Sequence, residues 1–431
     1  MGKDIARGES FPLFMYGQRY MLALGSWLCA PLFLLFGAGP VTLKLPMLLF
    51  NIAFVALLWW ELRRDAAVAG PGAFFAALPF ALPGVVTASR IVEHQGGNVE
   101  PFLFVLLGYV ARQRALWLGL IFGIGALNRE FALIGLIALM LVDVVQGRMG
   151  QRWRFYAVVI GTVLGVSALV RFVASLSPDY YGITAKLSFR GLTRRDGLLG
   201  YALLQLPTLL GTRPLALRDY NITSSLSTGH TWVFIVFLSW AVLACALRLR
   251  DVKRSELDGL PVYLMLVGVG QALAYIIMCP APRDVMLVRY ALLSLLGVIG
   301  LVAFAWSDAR LRLPTVAAVI CLCLPNALDH VRLAREYLSS PPKHENELLA
   351  AELTKLGVRY GVAEYWIAYD VAWLTDEATI LSPRRKQADR MRRYRETVID
   401  HWPEAVEVRS DECVGGTKVY RWSLCKPEQP L

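Results

Sequence analysis

Apolar residues fill the first three-quarters of this chain in blocks, each closed by a short charged loop, and after Leu328 the pattern changes to short alternating stretches. A helix needs about 20 apolar residues to cross a bilayer, fewer where neighbours shield a broken end. By that measure the blocks predict ten spans: Lys44–Leu62, Gly72–Ala88, Asn98–Ala111, Ala115–Leu127, Phe131–Val145, Trp153–Val173, His230–Leu249, Pro261–Met278, Val288–Trp306 and Pro314–Leu328. Tyr20–Phe36 is an eleventh candidate, although Pro31, Gly25 and Gly37 suit a helix lying in the membrane surface equally well. Between the sixth and seventh spans, Leu198–Leu210 is a second apolar patch broken by Pro207, read as a surface helix over the bundle or a dip into the membrane.

The tail reads differently. Glu345–Leu356 and Glu364–Leu374 have helical patterns, Val358–Val362, Ala378–Leu381 and Ala405–Val408 read as strands, and Gln387–His401 as a helix between the last two. Gly415-Gly416 is placed to turn a hairpin between Glu407–Cys413 and Thr417–Cys425. The fold expected is an all-α polytopic membrane protein of about 10–11 transmembrane helices with a small C-terminal α/β domain. Its expected divisions are residues 1–43, an N-terminal segment with a surface or membrane helix; 44–328, the transmembrane domain; and 329–431, a soluble tail.

Composition agrees: of 431 residues 56% are hydrophobic and 18% charged, and mean hydropathy is +0.49, values suited to a membrane protein. The net charge of +11 lies wholly outside the tail, because residues 331–431 carry 16 basic and 16 acidic side chains. Such charge belongs to loops beside lipid headgroups, so nucleic-acid binding is excluded. Arg63/Arg64, Arg112/Arg114, Arg148/Arg152/Arg154, Arg248/Arg250/Lys253/Arg254 and Arg310/Arg312 occupy alternate loops and should be cytoplasmic. The opposite loops and the tail are then extracytoplasmic. Met1–Arg19 mixes charges with Gly and Pro and lacks the apolar core of a cleavable signal.

Five cysteines, Cys29, Cys245, Cys279, Cys321 and Cys323, sit in or beside apolar runs and pack as small side chains, with no zinc spacing among them. The other two, Cys413 and Cys425, would lie in an oxidising compartment on either side of the Gly-Gly turn, and are expected to form a disulfide.

Charges inside or beside apolar spans are costly and therefore mark functional candidates. Three groups qualify. Arg90, Glu93 and His94 lie in a short outward loop, with Glu100 opening the next helix; Arg90 and His94 share a helical face, an acid/base group beside an anion clamp, against the plain alternative of a solvated loop. Asn128-Arg129-Glu130 is wedged between short apolar helices, where Arg129 either holds a phosphate or pairs with Glu130 at a hairpin tip. Arg283, Asp284 and Arg289-Tyr290 stand at an outer helix start that suits a lipid phosphate, with snorkelling to headgroups as the competing account.

Several stretches carry a resemblance. Phe14-Met-Tyr-Gly-Gln-Arg-Tyr20, Ala30-Pro-Leu-Phe-Leu-Leu-Phe-Gly37, Leu43-Lys-Leu-Pro46 and Glu61-Leu-Arg-Arg64 resemble the stretch joining the first outer loop to the second span in bacterial GT-C class glycosyltransferases, of the membrane mannosyl- and arabinosyltransferase kind. Leu127-Asn-Arg-Glu-Phe-Ala132, Val288-Arg-Tyr-Ala-Leu-Leu293 and the tail segment Gly357–Tyr369 are similar to further patches of such proteins. The resemblance implies a bacterial inner (cytoplasmic) membrane enzyme. It would take a sugar from a polyprenyl-phosphate donor at the outer face and pass it, with inversion, to an envelope lipid, glycan or protein. Its reaction needs an outward carboxylate as base, which in the family sits in the first outer loop behind a first transmembrane helix. Met1 falls where that loop should be ending, so the sequence is expected to lack that helix and loop, leaving residues 1–43 as an outer-loop remnant.

The roles expected are therefore Asp4 or Glu93 as base with His94 beside it, and Arg90, Arg129, Arg283, Arg289 and Tyr290 on the donor. No cofactor is required by the sequence, and a divalent metal is compatible with such chemistry. The other readings are a transporter or flippase of lipid-linked intermediates, and a non-catalytic scaffold of GT-C type. The sequence leaves the sugar, the acceptor and the oligomeric state open.

Overall fold

The computed structural model describes residues 1–64, 68, 70–93, 99–182, 194–213, 215, 227–251, 259–279, 284–341, 344–385 and 387–427. They form two compact units. The first is helical and reaches Ala334; the second holds the chain from Arg335 together with Tyr16–Arg19 and a stretch beginning at Pro178.

The helical unit opens with α1 (Gly2–Arg7), α2 (Leu24–Phe36), α3 (Pro40–Arg64), α4 (Pro71–Ala81) and α5 (Val85–Ile91). Then come α6 (Glu100–Val110), α7 (Ala115–Asn128), α8 (Leu133–Val145) and α9 (Met149–Ser175). It continues with α10 (Arg194–Gly200), a π-helical turn Tyr201–Gln205, α11 (Leu206–Leu209), α12 (Thr231–Asp251), α13 (Leu260–Met278), α14 (Ser294–Trp306) and α15 (Arg312–Ser339). The chain is a helical multi-pass membrane protein with a small α/β domain at its C-terminal end.

Each expected span is met by a helix, but the lengths differ. Among the described residues five helices are long and apolar enough to cross alone, α3, α9, α12, α13 and α15 (counted with the turn at Ala309), and a sixth if the bent pair α4 and α5 is one span. The expected ten or eleven contain several shorter pieces, such as α6 with 11 residues and α7 with 14. Short helices at membrane depth are stable only when protein covers their ends, and the α6 end at Glu100 and the α7 end at Asn128 are buried. A buried cluster runs through Phe54, Phe80, Phe102, Leu106, Leu118 and Phe122 and on to Leu264, Ile299 and Val302. Gly268 and Gly297 face each other, so that α13 and α14 approach backbone to backbone, as small residues permit inside membranes.

The expected span Gly72–Ala88 is broken at Leu82–Gly84, with an 84° bend between α4 and α5. Pro83 cannot donate within a helix and restricts the residue before it. The freed carbonyls are met by α15: Asn326 Nδ2 donates to Leu82 O at 3.2 Å and to Leu210 O at 3.2 Å, and His330 Nε2 to Pro83 O at 2.8 Å. Thr87 Oγ1 on α5 bonds the carbonyls of Thr208 and Leu209. The patch expected as a surface helix or a dip is therefore tied to the bundle interior at its α11 end. Helix α15 also runs past the expected end at Leu328 to Ser339, with Asn326 and Asp329 on its buried face.

The second unit contains α16 (Glu345–Lys355), β1 (Tyr360–Ala363), α17 (Tyr365–Leu374), β2 (Ile380–Pro383), α18 (Arg392–Asp400), β3 (Val406–Arg409), β4 (Thr417–Val419) and β5 (Trp422–Cys425). The sheet order is β2-β1-β3-β5-β4, with β1 parallel to β2 and β3, and β5 antiparallel to β3 and β4. Alternate residues of a strand face opposite sides: Ala363 and Leu381 meet α16 and α17 through Leu349, Leu353, Ala368 and Val371, whereas Val362 meets Val398 of α18. The hairpin turn is not at Gly415-Gly416 but at Tyr420-Arg421, between β4 and β5, with Tyr420 at φ 52°. Gly415 lies in the preceding loop at φ 73°, beside Cys413, which is bonded to Cys425.

Candidate functional site

Three segments that are distant in sequence meet at one end of α6 and α7. An acid opens an otherwise apolar helix in α6, and Glu100 is only 2% exposed. An α7 that ends at Asn128 leaves Arg129 extended, at φ −154° and ψ 125°, before the 3-10 turn Glu130–Ala132. This break buries Asn128 and Arg129 and turns Glu130 outward. The third segment is N-terminal: residues Phe14 and Leu22 bridge each other, and Leu22 N donates to Leu127 O at 3.1 Å, laying this stretch over the end of α7.

Between them is a cavity of about 10 Å³ lined by Met15, Leu22, Ala23, Gly25, Ser26, Met47, Glu100 and Asn128. Among the described residues, three buried side-chain atoms around the Glu100–Arg129 corner have no hydrogen-bond partner: Glu100 Oε2, Asn128 Nδ2 and Arg129 Nε. The Arg129 charge faces Glu100, and the backbone N–H groups of Val99 and Glu100 bond the Glu100 carboxylate. No ion pair forms between Arg129 and Glu130, so the hairpin-tip pairing weighed from the sequence does not occur. Unpaired buried polar atoms are rare in folded proteins and ask for a partner.

The other candidates stand around this corner or apart from it. Arg90 Nη1 donates to both carboxylate oxygens of Glu93, at 2.9 and 3.0 Å, and α5 ends at Ile91, before Glu93. Arg289 is half-buried, with its guanidinium 5.0 Å from the Tyr290 ring centre, and Nε buried. Tyr290 sets its ring edge-on against Phe131, centroids 5.9 Å apart, and Gln271 Nε2 donates to its carbonyl. The 3-10 segment Val285–Tyr290 also packs against α5, which bears Arg90. Elements carrying Arg90, Arg129 and Arg289 are thus neighbours, although only Glu100 and Asn128 of this set reach the cavity wall. Asp4 is buried on α1 against α2, with the Met1 amine 3.2 Å from its carboxylate, and lies outside that lining. His94 and Arg283 fall outside the described residues. Among the described residues no group of three or more His, Cys, Asp or Glu is placed to hold a metal ion.

Glu100 joins the site only once the chain is folded, because the sequence offers it merely as the opening residue of a helix. Its signal is nonetheless present there: a lone carboxylate starting an apolar block.

No family model matches the chain, and no curated protein matches it. Among solved structures it is similar to ArnT from Cupriavidus metallidurans in the apo state, at 13% identity and a TM-score of 0.42 over 98% of this chain and 90% of that one. It is likewise similar to ArnT from Cupriavidus metallidurans bound to undecaprenyl phosphate, at 14% identity and a TM-score of 0.41 over 98% and 91%.

Proposed function

We propose that this chain is a membrane glycosyltransferase that takes a sugar from a polyprenyl-phosphate donor and passes it, with inversion, to an envelope acceptor. The observation that supports this most is Arg129: a guanidinium 7% exposed, among apolar helices, with an unpartnered Nε and, among the described residues, no carboxylate in ion-pair contact. A buried cation whose Nε is unpartnered, and whose neighbouring carboxylate Glu100 is not in ion-pair contact, is costly unless a ligand brings further negative charge. In a bilayer, a lipid phosphate is the anion at hand, and guanidinium matches phosphate geometry. Arg289 and Arg90, on neighbouring elements, are assigned to the same donor, with Arg283 and Tyr290 beside them. The membrane is the bacterial inner membrane, with the α/β tail on its outer side.

The carbonyls freed at Leu82 and Pro83 between α4 and α5 are taken by Asn326 and His330, so they are not left to coordinate a transported ion. That occupation favours the enzyme over the flippase.

Binding of undecaprenyl phosphate to the purified full chain in nanodiscs tests the proposal. Arg129→Ala should weaken it about 10- to 100-fold, the worth of a hydrogen bond to a charged group. Equal affinity in wild type and Arg129→Ala removes Arg129 from the donor site, and no binding by either rejects the transferase.

A further inference from the structure

We infer that Glu100 is the general base of this reaction, an inference that rests on the transferase reading above. A base must present a free carboxylate oxygen where the acceptor oxygen will stand. Glu100 does so. Its Oε2 has no partner among the described residues, while the rest of its carboxylate is held by two backbone N–H groups at the start of α6, which fix its direction. The cavity it lines is about 10 Å³, room for about one water-sized atom.

The alternatives are less suited. Glu93 gives both of its oxygens to Arg90. Asp4 lies off the cavity. Asn128, whose Nδ2 is also unpartnered, and 1% exposed, stands on the same wall and supplies a donor to the incoming oxygen's second lone pair. Arg129 faces Glu100 from the other side of this corner. The rest of the wall is Met15, Leu22, Ala23, Gly25, Ser26 and Met47.

The step balances as a single displacement. The acceptor hydroxyl gives its proton to Glu100 Oε2 while its oxygen lone pair forms the bond to the anomeric carbon. The bond from that carbon to the phosphate oxygen breaks, and its electron pair leaves with polyprenyl phosphate, whose added negative charge falls to the arginines. Water in the same cavity reacts in the same way and releases free sugar.

The experiment uses the full chain in nanodiscs with undecaprenyl phosphate linked to a labelled hexose or pentose, and follows sugar release to water and undecaprenyl phosphate binding together. Glu100→Gln should slow release about 10²- to 10⁴-fold, the usual share of a general base, with binding unchanged within twofold. Glu100→Asp should keep part of the rate. Azide, a nucleophile with no proton to lose, should restore donor cleavage in Glu100→Gln as the glycosyl azide, which a merely structural carboxylate would not allow. Wild-type rates in Glu100→Gln, or a slow variant that azide does not rescue, overturn the inference while leaving the transferase standing. A wild-type chain that neither binds undecaprenyl phosphate nor cleaves the donor overturns both.

Discussion

Two carboxylates in the helical unit are buried almost equally, Asp143 at 1% exposure and Glu100 at 2%, yet their surroundings are opposite. Asp143, near the end of α8, takes Arg148 Nε at 2.9 Å on one oxygen and, on the other, Arg152 Nη1 at 2.7 Å and the Tyr156 hydroxyl at 2.7 Å. Arg152 goes on to the Arg112 carbonyl at 2.8 Å, and Arg112 lies over the Tyr109 ring at 4.0 Å. Both carboxylate oxygens are engaged, and the cluster ties α8 to α9 and to the end of α6. Glu100 keeps an oxygen without a partner beside a cavity, and its cation keeps an unpartnered Nε. A closed network uses its polar groups to hold helices together, whereas an open one keeps them available for a ligand. Burial alone does not separate the two; the set of partners does.

The widest test of this contrast is thermal stability of the detergent-solubilised chain. Asp143→Asn leaves two arginines facing each other without their counter-ion, and should cost about 3 kcal/mol, toward the low end for a broken buried pair because Arg148 and Arg152 keep some access to solvent. Glu100→Gln should cost under about 1 kcal/mol, since it removes no ion pair and no partner of Oε2. Equal losses in the two variants would erase the distinction and make Glu100 a structural acid.

A smaller effect asks whether the closed network is cooperative. Tyr156→Phe removes one hydroxyl bond to a charged group and leaves both arginines in place, and should cost about 1.5 kcal/mol. Combined with Arg152→Ala, the two losses should fail to add, because both act on the same Asp143 oxygen. Strict additivity in that cycle would show separate bonds rather than a network.

Much of the fold is legible in the chain, because apolar blocks mark helices whatever they pack against. The shortfalls have local causes. Pro83 sits inside a block long enough for one span, and only the stapling by Asn326 and His330 makes a break there stable. The helix after Pro314 outlasts its apolar stretch because Asp329 is buried by accepting from Thr228 N, at 2.8 Å on one oxygen, and no window of hydropathy sees that bond. In the tail, Gly415-Gly416 offers the easier turn, but the pairing of Trp422 with Val419 puts the reversal at Tyr420, a residue for which a left-handed φ has no local advantage. The site is partly legible as well. Arg129 stands out for its depth, whereas Glu100 gains its meaning from the fold, through the Leu22-to-Leu127 hydrogen bond that roofs it. Arg90 and Glu93 suggest two separate roles when read along the chain, and side-chain direction joins them instead.

The smallest expected effect lies in the tail and extends the comparison to a third carboxylate, outside the membrane. Asp370 on α17 accepts from Asn346 Nδ2 at 2.8 Å, and burial raises its carboxyl above the usual range, with Asn346 and His344 opposing the rise. A raised value in the folded chain means that the folded state holds this proton to higher pH than the unfolded one. Its contribution to stability is therefore complete below the unfolded value and is lost as pH rises through the raised folded value. Asp411 and Glu412 run the other way: Arg409 lowers the first and Lys418 the second, so their contributions fade as pH falls. Both are fully exposed and screened by salt, so added salt isolates Asp370. Hydrogen exchange of the β1 and β2 amides in the intact chain, corrected for intrinsic rates, should show protection that declines from acidic toward neutral pH in the wild type. Asp370→Asn should flatten that slope and raise protection at neutral pH. An unchanged slope would mean that the Asn346 bond fully offsets the burial of Asp370, placing it with Asp143 among the satisfied acids rather than between Asp143 and Glu100.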